Sequence, residues 1–365
     1  MRISGICFTQ AGRELAERVN SLLLGDAWEE PVRTEWYCKG RRFRKDDSIF
    51  QIVTEPMHEW SGKRFADSDV IIFVGAAGIA VRGIAPHVRD KRHDPAVIVL
   101  DEQGKFCISL LSGHIGGAND MVRRLSGKLG SVPVITTATD VNDLFAVDEY
   151  AARNGMTISS MTYAKEVSAS LLSGDPVGFY TAFQVKGELP EGIYWADKLD
   201  KARADRTGHR DEGTSLGFYI SPSFARVDFD HTLWLIPRCL VIGICCRRGT
   251  PVSKIEKLVN HVLWENSLFP EAIAAVASID LKKDEPGLIE FSRRLEVPFH
   301  TFAAEELQAL QGSFTPSEFV EKTTGTDNVC ERSAVCDGGG QLIIRKTGED
   351  GVTCAVAHLD QVIEF

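Results

Sequence analysis

Short apolar runs alternate with amphipathic stretches along the first part of the chain, as far as about residue 145. Val70–Val74 and Ala96–Leu100 are continuous apolar runs of the kind that forms strands buried on both faces, and residues 132–135 repeat this pattern. Apolar residues at helical spacing predict helices over residues 10–24 and 119–129. Strands that alternate with helices through short connections predict a parallel α/β sheet.

The later part of the chain repeats the alternation and then closes differently. Apolar patterning predicts strands and helices over residues 239–244, 253–264, 272–279, 287–295, 341–346 and 352–358. The last two segments are strands separated by a glycine-containing turn, which is typical of a hairpin. Between the two parts, residues 179–185 and Leu216–Ile220 are predicted strands, and the highly charged residues 197–212 are predicted to form an exposed loop or helix.

The predicted fold class is therefore multi-domain α/β. We expect an N-terminal parallel α/β sheet domain over residues 1–146, a middle linker domain over residues 147–236, and a C-terminal α/β domain with a closing hairpin over residues 237–365.

Composition narrows the class of function. The 365 residues are 44% hydrophobic and 25% charged, with a net charge of −10, which argues against a general nucleic-acid binder. No apolar run approaches the roughly 20 residues of a membrane span. Nine scattered cysteines without a CxxC pair make a disulfide framework improbable and, with no signal peptide at the start, predict a reducing cytoplasm. HExxH and tight His/Cys/Asp clusters are absent from the sequence, so we expect no protein-bound metal.

Five segments carry candidate chemistry. Residues 75–82 follow a buried strand and suit either anion binding by backbone N–H groups or tight strand-to-helix packing. In residues 111–120, three glycines flank His114, which suits a general base or an oxyanion donor, or alternatively a helix cap or packing residue. In residues 242–250, two arginines follow a strand and two cysteines, and they suit carboxylate recognition or a solvated turn.

The other two segments add carboxylates. Glu285 precedes a helix-starting proline, and residues 133–140 end a strand in hydroxyls and a carboxylate, which we expect at the same ligand edge of the sheet as the end of Val70–Val74. P-loop and GxSxG signatures are absent from the sequence. The residues alone predict a cytosolic α/β protein that binds an anionic small molecule.

In order, these motifs resemble one family, the cobalamin-biosynthesis protein CbiG. The N-terminal resemblance lies in GAAGIAVRGIAPHVRDKRHDPAVIVLDEQGKFCISLLSGHIGGAND and PVITTATDVND; GICCRRGT, ASIDLKKDEPGL, FTPSEFV and VCERSAV resemble its C-terminal domain, which is related to CobE. The middle section fits the family only by position. One departure is Cys245, where family members more often have glycine.

The resemblance implies a hydrolase acting on a carbon–carbon bond, cobalt-precorrin-5A hydrolase. Water opens a δ-lactone, and the methylated meso carbon leaves as acetaldehyde to give cobalt-precorrin-5B. It implies an anionic cobalt-tetrapyrrole substrate that carries its own cobalt, no cofactor, and no nucleic-acid or membrane partner. It leaves open a homodimer or transient contacts with other enzymes of the pathway.

Within this resemblance, four residues are candidates for catalysis. We expect His114 to act as the base, with Gly116 and Gly117 N–H groups as oxyanion donors, and Asp140, Asp101 or Glu285 to orient it or share the proton transfer. The candidate substrate-binding residues are Gly75, Gly78, Arg82, Lys91, Ser112, Gly113, Gly116, Gly117, Asn119, Thr136, Thr137, Arg247, Arg248 and Lys282.

Two other classes of function compete with the hydrolase. A corrinoid carrier would use the same glycines and arginines without catalysis. A methyltransferase of the same pathway would need a glycine-rich methyl-donor loop after the first strand, for which residues 8–12 are a poor candidate.

Overall fold

The fold comes from a computed structural model that describes residues 1–28, 31–44, 49–90, 93–113, 116–142, 144–199, 201 and 215–365. The described chain forms two compact units, Met1–Glu149 and Tyr150–Phe365. His114 and Lys91, both predicted site residues, lie outside the described residues.

The first unit alternates strands and helices in the predicted manner. Its elements are β1 (Arg2–Cys7), α1 (Gln10–Gly25), β2 (Arg33–Cys38), β3 (Phe50–Ile52), α2 (Met57–Asp67), β4 (Val70–Val74), α3 (Ala77–Ile84), β5 (Ala96–Leu100), β6 (Phe106–Leu111), α4 (Ala118–Leu129), β7 (Val132–Val134) and α5 (Ala138–Val141). Helix α6 (Val147–Arg153) follows and contains the boundary between the units.

The strands of the first unit form one sheet in the order β3-β2-β1-β4-β5-β6-β7. Strands β1 to β5 are mutually parallel. Strand β6 runs antiparallel to β5, and β7 runs parallel to β6. The last two strands therefore point the opposite way from the other five.

Helices cover both faces of this sheet, as parallel strands require. Leu15 of α1 and Leu125 of α4 pack with Ile72 in one apolar cluster. Trp60 of α2 and Ile84 of α3 belong to a cluster on the other face. All five residues of β4 are buried, which confirms the prediction of a strand enclosed on both sides.

The second unit contains the remaining elements. They are β8 (Thr157–Ile158), α7 (Met161–Leu172), β9 (Val177–Thr181), β10 (Gln184–Lys186), β11 (Ile193–Trp195), β12 (Leu216–Ile220), β13 (His231–Ile236), β14 (Leu240–Cys246), α8 (Val252–Glu265), β15 (Ile273–Ile279), α9 (Pro286–Leu295), β16 (Phe299–Phe302), α10 (Ala304–Ala309), α11 (Glu318–Thr324), α12 (Cys330–Cys336), β17 (Gln341–Glu349), β18 (Val352–His358) and β19 (Val362–Glu364). Short 3-10 turns lie at Ala196–Lys198, Pro270–Ala272 and Asp280–Lys282.

Two five-stranded sheets organise the second unit, in the orders β11-β9-β12-β13-β8 and β16-β15-β14-β18-β17, while β10 pairs with β19. The antiparallel pairing of β17 with β18 confirms the closing hairpin. The single strand predicted over residues 179–185 is wrong, because the chain turns after Thr181 and its two halves join different sheets. The Thr181 hydroxyl accepts the Phe183 N–H in that turn. Most of the charged segment 197–212 lies outside the described residues.

Candidate functional site

The reversal of β6 decides which predicted segments meet in the first unit. Leu100 pairs with Cys107 and Val97 with Leu111, so β6 ends where β5 begins. Because β7 follows the direction of β6, it also ends at that side. The expectation that residues 133–140 share a ligand edge with the end of β4 is therefore wrong, since the antiparallel pairing sends them to the opposite end of the sheet.

We call the side where β6 and β7 end the reversed edge; its predicted site residues are Ser112, Gly113, Gly116, Gly117, Asn119, Thr136, Thr137 and Asp140. Two contacts bring the chain before β5 to the same place. The Ser112 hydroxyl donates to the Asp94 carbonyl at 3.0 Å, and the Asp94 carboxylate accepts the Arg89 N–H at 2.9 Å. Arg82 lies exposed in the last turn of α3, which runs back from the end of β4 toward this edge.

Three predicted residues lie at the other end of the sheet. Gly75 follows β4, with its N–H bonded to the Leu100 carbonyl at 2.7 Å, and Gly78 lies in the first turn of α3 with open space where a Cβ would stand. Asp101 accepts the N–H groups of Gln103 and Phe106 and so shapes the β5–β6 turn. The six residues of β6 span about 20 Å, so Asp101 lies too far from Gly113 and the reversed edge for the share in proton transfer predicted for it there.

Close contacts explain why glycine occupies several positions of the 112–117 loop. A Cβ on Gly113 would lie 2.7 Å from the Asn119 side-chain oxygen, and one on Gly116 would lie 2.4 Å from the Ser112 Cβ. Gly117 precedes α4 with φ of 78°, a conformation that favours glycine. Ser112 itself is buried with φ of 55°, which is strained for a residue with a side chain. The loop that carries His114 is therefore tightly folded on both sides of the residues that the structure does not describe.

Asn119 links this loop to the end of β7. Its side-chain amide donates to Thr137 Oγ1 at 3.1 Å and to Asp140 Oδ2 at 2.9 Å, and its backbone N–H donates to the Gly113 carbonyl at 3.0 Å. Asn119 is 1% exposed. We therefore assign Asn119, predicted to bind substrate, an internal position from which it connects two segments of the reversed edge. Thr136 is exposed beside this network.

The second unit places the other predicted residues at the carboxyl ends of β14 and β15. Arg247 and Arg248 are exposed in the turn after β14, and Lys282 ends the 3-10 turn after β15. Glu285 ties the two turns together, since its carboxylate accepts the Gly249 N–H at 2.7 Å and lies 3.8 Å from the Lys282 amine.

Glu285 is 4% exposed and both of its oxygens face these partners. This geometry supports a role in positioning the arginine turn more than the proton transfer predicted from sequence. Gly287 contributes to the same junction, because a Cβ there would stand 2.2 Å from the Thr250 carbonyl oxygen.

Cys245 and Cys246, the two cysteines before the arginines, are not activated as nucleophiles. Burial raises the pKa of the Cys246 thiol to about 11, against an opposing effect of Lys282. Burial also raises the pKa of Cys245, whose side chain packs beside Ile279 and Leu307. Both thiols stay protonated near neutral pH.

We expect Glu285→Ala to destabilise the protein by about 2 kcal/mol, because it leaves the Gly249 N–H without its charged acceptor and Lys282 without its counterion. Urea denaturation measures the change. Glu290→Ala is the matched control on the same helix: its exposed pairs with Arg293 and Arg294 contribute little. Equal stability of the Glu285→Ala variant and the wild type would contradict the tie between the turns.

Sequence reasoning missed Arg123 and Asp94. Arg123 lies four residues after Asn119 on α4, so the helical period places both on one side of the helix, and that spacing is the signal that identifies Arg123. Asp94 carries no comparable signal, because its carboxylate accepts the Arg89 backbone N–H, which nearly any residue type could supply, and its contact with Ser112 exists only in the folded chain.

Among the described residues, no group of three or more His, Cys, Asp or Glu side chains is placed to hold a metal ion. Within the same part of the chain, every helix is too short or too polar to cross a membrane.

The fold, the reversed edge and the arginine-containing turn after β14 define a multidomain α/β protein whose loops carry hydroxyl, amide and guanidinium groups. Its sequence matches three family descriptions in order: Cobalamin synthesis G N-terminal over residues 59–140, Cobalamin biosynthesis central region over 145–237, and Cobalamin synthesis G C-terminus over 240–357. The chain belongs to the CbiG family.

Named relatives of the chain support the same family assignment. The chain is 41% identical over 361 residues to the cobalt-precorrin-5A hydrolase of Salmonella typhimurium, covering 98% of both chains. It is 32% identical to the cobalt-precorrin-5A hydrolase of Priestia megaterium, covering 80% of this chain and 79% of that one. Its resemblance to the protein CobE of Sinorhizobium, at 31% identity over 121 residues, covers 32% of this chain and 79% of CobE.

Proposed function

We infer that this protein is a cobalt-precorrin-5A hydrolase of cobalamin biosynthesis. The observation that carries the inference is the 41% identity to the Salmonella typhimurium enzyme over 98% of both chains. The geometry supports it, because the reversed edge joins residues 111–120 to two other segments, through the Ser112–Asp94 and Asn119–Asp140 hydrogen bonds.

The proposed reaction has two steps. Water adds to the carbonyl carbon of the δ-lactone, the acyl–oxygen bond breaks, and a carboxylate and a hydroxyl result. A base then takes the proton of that hydroxyl, its C–O bond becomes the C=O of acetaldehyde, and the carbon–carbon bond to the macrocycle breaks. The electron pair of that bond stays with the conjugated ring, so one water is consumed for each acetaldehyde released.

We assign the first step to the reversed edge. His114 is the proposed base, and the Gly116 and Gly117 N–H groups are the proposed donors to the tetrahedral oxyanion. What supports the assignment is the fixed geometry of the loop on both sides of His114, through the Ser112–Asp94 and Asn119–Gly113 hydrogen bonds. Asp140 supports the loop through Asn119.

The substrate carries many carboxylates, and exposed guanidinium groups are suited to bind them in pairs of hydrogen bonds. In the first unit we propose Arg82 for this role, beside the reversed edge. In the second unit we propose Arg247 and Arg248, presented by the turn that Glu285 fixes. The chain as a whole is negatively charged, so these arginines attract the carboxylates of the substrate only in their immediate surroundings.

The proposal includes no cofactor, since the cobalt arrives within the substrate. It places the protein in the cytoplasm, as a homodimer or in transient contact with other enzymes of the pathway.

We expect the purified protein to release one acetaldehyde per cobalt-precorrin-5A, followed by coupled NADH oxidation with alcohol dehydrogenase. In ¹⁸O-labelled water the freed carboxylate of the corrin product gains one label, because water attacks the carbonyl carbon. Heat-denatured protein is the control. Tight binding of the substrate without acetaldehyde would replace the hydrolase with a corrinoid carrier, and label absent from the carboxylate would contradict attack at the carbonyl.

A further inference from the structure

Arg123 stands at the centre of an acidic cluster beside the reversed edge. Its guanidinium pairs with the Asp140 carboxylate, lies 3.1 Å from an Asp120 oxygen and lies 3.9 Å from a Glu149 oxygen. The Arg123 side chain is 46% exposed, whereas that of Asp140 is 8% exposed. The guanidinium therefore covers a largely buried carboxylate from the solvent side.

A continuous chain of contacts leads from this guanidinium to the 112–117 loop. Arg123 pairs with Asp140 Oδ1, and Asp140 Oδ2 accepts the Asn119 side-chain amide at 2.9 Å. The Asn119 backbone N–H then donates to the Gly113 carbonyl at 3.0 Å. Since Arg123 occupies one carboxylate oxygen, the other is directed at Asn119, and Gly113 is the residue immediately before His114.

One polar atom of the Asn119 side-chain amide lacks a hydrogen-bond partner among the described residues. Its side-chain oxygen is buried and, across the described part of the chain, accepts no hydrogen bond. A buried polar atom without a partner is destabilising, so the Asn119 amide is fixed by its two donated hydrogen bonds and not by its oxygen.

We propose that Arg123 is a positioning residue of the hydrolase site, which acts through Asp140 and Asn119 to fix the loop that carries His114. The inference rests on the proposed function and assigns a role to a residue outside the predicted site. Arg123 itself does not contact the reacting atoms in this scheme. Its effect is on Gly113 and Asn119, which flank the proposed base and oxyanion donors in the chain, and small displacements at a catalytic site are costly.

The competing explanation is an ordinary surface ion pair. Such a pair contributes little to stability and nothing to catalysis. The two explanations differ in what the substitution changes, because a positioning residue alters kcat whereas a surface pair alters neither kcat nor KM.

We expect Arg123→Met to lower kcat by roughly 10- to 100-fold with KM nearly unchanged, measured by acetaldehyde release. Arg123→Lys restores part of kcat, because an ammonium retains the charge but cannot reproduce the guanidinium geometry. Arg124→Met is the matched control: Arg124 lies over the Trp28 ring, and its removal leaves kcat unchanged. A wild-type kcat in Arg123→Met would overturn the proposal.

A double-mutant cycle tests whether Arg123 acts through Asp140. If it does, Arg123→Met combined with Asp140→Asn has the kcat of Asp140→Asn alone, because the route is already interrupted. Multiplied losses in the double variant would reject this route. Added guanidinium should also raise kcat of an Arg123→Ala variant and leave that of Arg124→Ala unchanged.

Hydrogen exchange separates this proposal from the proposed function. In Arg123→Met the Asn119 backbone amide should exchange faster than in Arg124→Met, with equal melting temperatures for the two variants, whether or not the substrate is hydrolysed. Equal exchange in the two variants would overturn the positioning role even in an active enzyme. Faster exchange in a protein that releases no acetaldehyde would sustain the link to the loop and reject the hydrolase.

Discussion

Gly243→Ala is expected to destabilise the second unit by about 3 kcal/mol. This value is near the upper end of the destabilisation usual for side chains that overpack a core. Helix α12 lies directly on β14 at this glycine. A Cβ there would stand 1.9 Å from the Cys330 carbonyl oxygen and 2.8 Å from the Ala334 nitrogen. Both are backbone atoms, so no rotamer change relieves the clash and the helix has to move off the sheet.

Calorimetry measures this loss as a fall in melting temperature of about 6–12 °C. Gly127→Ala is the control, because a Cβ on that α4 residue meets no atom within 4 Å and alanine favours a helix. It should leave the melting temperature unchanged or raise it. A Gly243→Ala protein that melts with the wild type would show that α12 does not pack against β14 as described.

The sequence predicts most elements of the fold because burial leaves a local pattern. Val70–Val74 is apolar throughout, and the structure buries it on both faces. The helix predicted over residues 253–264 is α8, Val252–Glu265. The sequence does not predict strand β6, Phe106–Leu111. Ser109 interrupts its apolar residues, and most of the strand is only partly buried, so it lacks the continuous apolar run of a strand enclosed on both faces.

Strand direction is the feature that sequence reasoning could not supply. Which way β6 runs depends on its pairing with β5, a contact between segments, and no single segment encodes it. That one reversal moves Asp140 to one end of the sheet and leaves Gly75 and Asp101 at the other. A set of candidates chosen for sharing one edge is thereby divided in two.

The glycines show a second limit. Sequence alone cannot distinguish a glycine that admits a ligand from one that admits another part of the chain. Gly287 and Gly113 sit against the Thr250 carbonyl and the Asn119 side chain, so packing explains them. Gly78 has open space at its Cβ position, and its predicted role in binding stays a prediction.

Asn119→Asp should lower turnover by about 100-fold or more at neutral pH, the largest effect expected on activity. The replacement is nearly isosteric, but it removes both side-chain N–H donors. It also puts a second carboxylate where the amide now lies 2.9 Å from Asp140 Oδ2. Two unit charges 4 Å apart repel by about 4 kcal/mol near a protein surface, and Arg123 offsets only part of this.

The loss should depend on pH, and its direction follows from the pair of carboxylates. Where the introduced carboxylate is charged it repels Asp140, so Gly113 and its loop lose their anchor. As the pH falls, the introduced carboxylate takes up a proton, and the resulting O–H donates in place of the lost amide. The ratio of variant to wild-type kcat therefore rises toward acidic pH.

Asn119→Ala is the control that isolates the proton, because it removes the same donors without adding a charge. We expect its kcat to stay low relative to wild type at every pH, so only Asn119→Asp recovers in acid. Parallel pH profiles for the two variants would mean that an O–H at this position does not replace the lost amide donors. In that case the hydrogen bond between Asn119 and Asp140 would not be what orients the loop for catalysis.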